Sequence, residues 1–264
     1  MSILAISGKI NSGKDTLAAI IQYVDSQYNH NYKESFEKFQ KTPNIKKSYW
    51  KIKRFADKLK DIVCLLLNCT REELEDREFK EKELGEEWWY YKFDNIMLPI
   101  SDRKLFIQTV NSTVFSPLDE AEVDTYIIKL TPRKLLQLLG TDCGRDIIHP
   151  NIWVNALMSK YISENRGIIS GINYVESNWI ITDMRFPNEL EAVKSKGGIS
   201  VRINRPRVTL EGGDNLYEHH SETALDDAQF DYTIHNNGTI EELIEAVKII
   251  LRKEKIILRK EKII

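Results

Sequence analysis

A chain of 264 residues, 42% of them apolar, is long enough to bury the core of one large domain or two small ones. Lys and Arg total 38 against 40 Asp and Glu, a net charge of -2. This excludes a global basic field for nucleic acid or a membrane surface, so any anion must be held by local arginines and lysines. Cys64, Cys69 and Cys143 form no C-x-x-C pair, no signal-like segment opens the chain and no apolar run reaches membrane-spanning length. The expectation is a soluble, cytoplasmic protein with reduced thiols and no membrane partner.

The chain opens on the apolar run Ser2-Ile3-Leu4-Ala5-Ile6-Ser7, which ends in Gly8-Lys9-Ile10-Asn11-Ser12-Gly13-Lys14-Asp15-Thr16. This pattern predicts a strand, a phosphate-binding loop and a helix. The loop amides and the first amides of the helix lack internal partners and can surround a polyphosphate, with Lys14 adding charge for the outer phosphates. Asp15 stands where a Ser or Thr usually follows the Lys, and Thr16 brings the hydroxyl one residue later. Leu17, Ile20, Ile21 and Val24 lie at helical spacing, and that helix should fade near Tyr28.

Residues 28–49 are polar and read as a loop or insertion. Trp50 to Phe55 alternates like a strand, and a strongly apolar helix follows through Leu67, with Cys64 as a small buried hydrophobe. Thr70-Arg71-Glu72-Glu73 is a capping box opening an exposed, charge-dense helix. Residues 88–130 carry no clear periodicity. Trp88-Trp89-Tyr90-Tyr91 lacks interleaved arginines and reads as a packed satellite cluster in preference to a base-stacking surface.

Thr131 and Pro132 start a helix carrying Leu135, Leu136, Leu138 and Leu139, which Gly140 should stop. A second helix is predicted from about Asn151 to Glu164, burying Trp153, Val154, Leu157 and Tyr161. Asn178 to Thr182 is a buried strand ending in Asp183-Met184-Arg185, followed by a helix that stops at Gly197-Gly198. Ile199 to Ile203 is the next strand and Tyr232 to His235 the last. Thr239-Ile240-Glu241-Glu242 is a capping box for the final helix. From Lys248 a seven-residue unit is repeated; it reads as a short oligomerisation helix, which would make a homodimer, or as a duplication tolerated at a terminus.

Strands alternating with helices predict an α/β fold, a mostly parallel sheet with helices on both faces. In such a sheet ligands sit beyond the carboxyl ends of the strands, where the loop at Gly8, Asp183 to Arg185, and Arg205 to Arg207 would meet. Phosphoryl transfer needs positioning, a metal and positive charge, not a protein nucleophile. Lys14 suits the β- and γ-phosphates. Asp183 suits Mg²⁺ or its waters, or else a helix cap. Arg185 suits an acceptor phosphate or a salt bridge. Arg205 and Arg207 sit in a loop able to close over the site. Arg54 and Arg145 are acceptor-site candidates, unless they simply pair with Asp57 and Asp146. His219-His220 is a poor metal site, since adjacent residues of a regular element do not face one ion.

Several stretches, in this order, resemble the bacteriophage deoxynucleoside monophosphate kinases of the P-loop nucleoside monophosphate kinase superfamily. They are Ser7 to Thr16; Phe55-Ala56-Asp57-Lys58-Leu59-Lys60; Leu136-Gln137-Leu138-Leu139-Gly140-Thr141-Asp142 with Arg145 and Trp153; Thr182 to Glu189; Arg205-Pro206; His220-Ser221-Glu222; and Asn236 to Glu242. The resemblance implies a single three-layer P-loop kinase domain over residues 1–264 with a five-stranded sheet. Within it would lie a polar insertion at 28–49, an acceptor region at 71–130, a lid at 204–230 and a helical tail at 248–264. It implies ATP- and Mg²⁺-dependent transfer to a deoxynucleoside monophosphate. Gly8, Asn11, Ser12, Gly13, Lys14, Asp15, Thr16, Asn237 and Gly238 would hold ATP, with Thr16 and Asp183 at the metal. Lys14, Asp183, Arg185 and Arg205 would act in transfer, and Arg54, Lys58, Arg145, Trp153, Asp183 and Arg185 would bind the acceptor. The alternatives are another P-loop kinase of the phosphomevalonate or dephospho-CoA type, a regulatory ATP-binding module, and a nucleic-acid-binding accessory, which the charge disfavours.

Overall fold

The computed structural model describes residues 2–42, 48–119, 121–159, 161, 168–169, 172–173, 178–206 and 223–254. Among them the strands are β1 (Ile3–Ser7), β2 (Trp50–Lys53), β3 (Tyr90–Phe93), β4 (Ile96–Pro99), β5 (Ile127–Ile128), β6 (Ile168–Ile169), β7 (Ile172–Asn173), β8 (Asn178–Ile181), β9 (Ile199–Asn204) and β10 (Tyr232–His235). The helices are α1 (Lys14–Asn29), α2 (Phe36–Lys41), α3 (Asp57–Leu67), α4 (Arg71–Glu75), α5 (Arg77–Glu81), α6 (Arg103–Asn111), α7 (Pro132–Gln137), α8 (Ile152–Met158), α9 (Pro187–Ser195) and α10 (Ile240–Lys253). They fall into two compact units, Met1–Asp57 with Trp153–Ile264, and Lys58–Ile152.

The first unit is built on a five-stranded sheet of order β10-β9-β1-β8-β2. Every neighbouring pair is parallel, with Ala5 opposite Ile181 on one side and Ser200 on the other. All five residues of β1 are buried, as a central strand covered on both faces requires. The pleat sends Leu4 and Ile6 into one cluster with Leu17, Ile20, Ile21 and Val24 of α1 and Leu243, Val247, Ile250 and Leu251 of α10. Ile3 and Ala5 are buried on the other face, and α9 contacts β1 and β9. Helical spacing in α1 therefore predicted its buried face correctly.

One buried carboxylate ties local pieces of this unit together. Asp25 on α1 accepts from Asn29 Nδ2 (2.7 Å), Ser48 Oγ (2.8 Å) and the Tyr49 N–H (2.8 Å). It fixes the approach to β2, so the polar stretch 28–49 is anchored near its end. That stretch also contains α2, capped by Ser35, where the sequence suggested only loop. Its helix rests on Phe36 and Phe39, which pack edge-on to Tyr23 of α1.

The second unit has its own small core. β4-β3-β5 form an antiparallel sheet, and Tyr91 stacks on Phe106 of α6 with ring centroids 4.7 Å apart. Tyr91 is thus a core residue, as the satellite-cluster reading expects. Trp89 donates from Nε1 to Leu84 O, with Lys129 Nζ 4.4 Å from its ring centroid. The predicted exposed helix after Thr70 is two short helices, α4 and α5, split at Asp76, which ends one and caps the other.

Three local expectations are corrected. Gly140 does not stop a helix: α7 runs on through wide, π-type turns from Leu138 to Ile148. A Cβ at Gly140 would lie 2.8 Å from Leu59 Cδ2, so this glycine serves close packing against α3 and not a chain reversal. The helix predicted to reach Glu164 ends at Met158; its Trp153, Val154 and Leu157 are buried as expected. Cys64 is half-buried, because α3 turns Val63 and Leu59 inward instead.

Candidate functional site

The loop after β1 forms a concave turn at the carboxyl edge of the sheet. Two of its residues are left-handed, Asn11 (φ 60°) and Gly13 (φ 100°). Gly13 is the N-cap of α1 and offers no side-chain cap. The helix therefore presents its first amides, with their partial positive charge, to the concavity. A Cβ on Gly8 would fall 2.5 Å from Ser12 Oγ and 2.6 Å from Ile203 O, so only glycine lets the loop close down on β9. Lys14 Nζ donates to Gly8 O (2.6 Å) and Lys9 O (2.7 Å), which places an ammonium across the loop. Ser12 Oγ is buried with no hydrogen-bond partner among the described residues, a donor or acceptor left over within the loop.

Neighbouring strand ends hold this loop from the side. Asn236, at the end of β10, donates from Nδ2 to Ser12 O at 2.9 Å. Arg202 on β9 donates to Ser7 Oγ (3.0 Å) and to Asp226 Oδ1 (2.6 Å), and lies over the Phe230 ring. Asp226 also takes Lys9 Nζ at 2.8 Å. Burial alone would raise the Asp226 carboxyl, but Lys9 and Arg202 hold it below its ordinary value. Sequence reasoning missed all three of Asn236, Arg202 and Asp226. Asn236 adjoins Asn237 and Gly238, which are exposed and lead into the Thr239 cap of α10.

The loop after β8 is equally constrained. Asp183 accepts the Phe55 N–H on Oδ1 (2.8 Å) and the Ala56 N–H on Oδ2 (3.0 Å), stitching the end of β8 to the turn after β2. Glu189, almost fully buried, accepts the Arg185 N–H (2.7 Å) and the Phe186 N–H (3.1 Å). Arg185 is half-buried between these two anchors. Thr182 Oγ1, next to Asp183, is buried without a hydrogen-bond partner among the described residues.

Asp15 has a partner that accounts for its place in the loop. Arg54 Nη2 donates to its Oδ1 at 3.1 Å, so the variant residue draws the turn after β2 toward the start of α1. Burial would lower the Arg54 pKa, but the bond and charge of Asp15, with Asp183 and Asp57 behind it, raise it above its ordinary value. The first unit thus brings together Gly8 to Thr16, Arg54 and Asp183 through bonded neighbours. Thr16 sits half-buried in the first turn of α1, and Arg205 is exposed just past β9.

The remaining candidates are placed differently. Trp153 is nearly buried in the first unit. Lys58 and Arg145 belong to the second unit: Lys58 pairs with Asp61 on its own helix at 3.0 Å, and Arg145 Nη1 donates to Gly140 O at 2.9 Å. Arg207, the His219-His220 pair, His220-Ser221-Glu222, most of the 204–230 stretch and the second heptad of the tail lie outside the described residues. Among the described residues no three His, Cys, Asp or Glu form a metal-binding group, and no helix is long and apolar enough to cross a membrane.

Comparison with known proteins finds a family of nucleotide kinases. Residues 2–247 match the family model described as deoxynucleotide monophosphate kinase. The chain is 27% identical over 214 residues to the deoxynucleoside-5'-monophosphate kinase of Escherichia phage T5, covering 74% of this chain and 72% of that protein. It is 27% identical over 145 residues to the deoxynucleotide monophosphate kinase of Enterobacteria phage T4, 55% of each chain. The corresponding protein of Escherichia phage RB69 is 28% identical over 120 residues, 46% of this chain and 44% of that one. The matched span is thus about half the length of the latter two.

Proposed function

The chain belongs to the deoxynucleotide monophosphate kinase family, which makes it a phosphotransferase working on a small nucleotide, and from that premise we propose that it moves the γ-phosphoryl group of ATP onto a deoxynucleoside monophosphate. An oxygen of the acceptor phosphate attacks the γ-phosphorus while the bond to the bridging oxygen of ADP breaks. The products are the deoxynucleoside diphosphate and ADP, and no protein group is phosphorylated. The observation that carries the reading is the cradle itself, in which the Lys14 ammonium lies across a glycine-dependent loop at an uncapped helix N-terminus.

In this reading Lys14 exchanges its two carbonyl acceptors for phosphate oxygens, a stronger charge-assisted pairing. The loop from Gly8 to Thr16 holds the donor, with Asn236 as a further support beside Asn237 and Gly238. Arg185 and Arg205 supply positive charge near the transferring group, and Arg54, Asp183 and Trp153 face the acceptor. Lys58, through the resemblance, and Arg145, as a forked donor suited to a phosphate, remain acceptor candidates, and 204–230 remains the candidate lid.

A divalent cation fits the donor set. Asp183 brings a carboxylate to the end of β8, each oxygen held by a backbone N–H, and the Thr16 hydroxyl stands at the start of α1. When bound, Mg²⁺ would neutralise phosphate charge. The test is ADP release from ATP and Mg²⁺ with a panel of deoxynucleoside and ribonucleoside monophosphates. We expect release that depends on a deoxynucleoside monophosphate. ATP binding with no release on any acceptor would instead support a nucleotide-binding module.

A further inference from the structure

Two cysteines of the second unit have no part in the reading above. Cys64 lies in the last turn of α3 and Cys69 just beyond its end. Asn68 between them is left-handed (φ 50°), and the Cys69 N–H donates back to Cys64 O at 3.1 Å. This is the six-residue Schellman closure of a helix, with Asn in the position usually taken by glycine. The closure characteristically presses together the side chains at its first and last positions. Here those two side chains are both thiols, near enough to influence one another electrostatically, and the Cys64 thiol itself donates to Thr70 O at 3.5 Å. Both are half-buried, so a small reagent has access to them.

We propose that Cys64 and Cys69 are a redox-active thiol pair that closes to an intramolecular disulfide when met by a small disulfide oxidant such as oxidised glutathione. Helix closure supplies the proximity, since the Cys69 N–H is already bonded to Cys64 O. Burial, the Cys64 thiol and the Glu73 carboxylate push the Cys69 thiol up. The thiolate of one cysteine attacks one sulfur of the oxidant and releases one glutathione. The other cysteine then gives up its proton and attacks the protein sulfur of the mixed disulfide, releasing the second glutathione. Two protein thiols lose two protons and two electrons, and the oxidant's disulfide becomes two thiols. In a reducing compartment such a bond is transient and responsive, not a structural staple.

Trypsin cuts after Lys60 and Arg71, so one peptide carries both thiols, while Cys143 falls in the peptide ending at Arg145. After incubation with oxidised glutathione and trapping with an alkylating agent, the peptide 61–71 should be two hydrogens lighter and unalkylated. Cys143 should remain free of any bond to it. Cys64→Ser and Cys69→Ser should each abolish the two-hydrogen loss. A glutathione adduct that persists on Cys64 or Cys69, a bond to Cys143 or to a second molecule, or full alkylation of both thiols would overturn the proposal. Phenylarsine oxide tests proximity without oxidation, since it condenses with two adjacent thiols and releases water. It should add once, to peptide 61–71, and be lost from either serine variant; no adduct on the unaltered protein would also sink the pair.

Discussion

The two units hold themselves together by different means. In the first, polar contacts join residues far apart in sequence and mostly run from side chain to backbone: Asp183 to Phe55 and Ala56, Asn236 to Ser12, Asp25 to Tyr49. In the second, side-chain bonds to the backbone stay local, and the contacts that reach across the sequence are mostly ion pairs between charged side chains, as in Lys60–Glu75, Arg133–Glu81 and Lys129–Glu83. A side chain that satisfies a buried backbone group cannot be removed without stranding that group. A surface ion pair contributes about 0–1 kcal/mol and is easily exchanged. The geometry of the sheet edge is therefore held against change, while the second unit rests on a small aromatic core and an adjustable charged surface.

The sharpest way to break this contrast is at the cradle. Lys14→Ala should lower kcat on the order of 10³-fold or more, the scale on which a cation at a transferring phosphoryl group acts. Its melting temperature should hardly move, because the ammonium donates to Gly8 O and Lys9 O of its own loop. Near-normal turnover would remove Lys14 from the reaction. Asp183→Ala comes next. It strands two backbone donors, each worth about 1–3 kcal/mol, so urea unfolding should show a loss of that order. Unchanged stability would mean that the clamp between β8 and the turn after β2 is not structural.

Asn236→Ala should act more gently. Losing one hydrogen bond, about 0.5–1.5 kcal/mol, should appear as a rise of up to about tenfold in KM for ATP with kcat little changed. A fall in kcat alone would point away from donor binding. The smallest effect belongs to the second unit. Burial would raise the Glu75 carboxyl, but Lys60 and Lys80 more than offset this and bring it to about 2 from the ordinary 4.5. A depressed carboxyl stabilises the fold fully above its unfolded value, so this contribution should fade as the pH falls from about 4.5 toward about 2. Glu75→Gln should flatten that acid limb slightly; an unaltered acid profile would show that the pair contributes nothing.

Legibility followed the same division. β1, α1, α9, β9 and α10 were readable because each is long enough to show a period or is marked by a start signal, from the Gly8 loop to the Thr239 capping box. The segment 88–130 was not, because strands of two to four residues are too short to show a period, and Tyr91 and Phe106 find each other only on folding. Gly140 misled for a related reason: the same residue ends a helix or admits a close neighbour, and only Leu59 decides which. The contacts of Asn236 and Arg202 were not legible, since their partners Ser12 and Ser7 stand some two hundred residues away.

By itself, then, the sequence determined that this chain carries a phosphate loop on a parallel α/β sheet and determined the family it resembles, since strand, loop and helix are contiguous and their signals local. Only the tertiary structure decided what holds that loop: Arg54 on Asp15, Asn236 on Ser12 O, Asp183 across to Phe55 and Ala56. These contacts depend on which strands become neighbours. Pairing along a parallel sheet is a property of the folded topology, not of any window of residues.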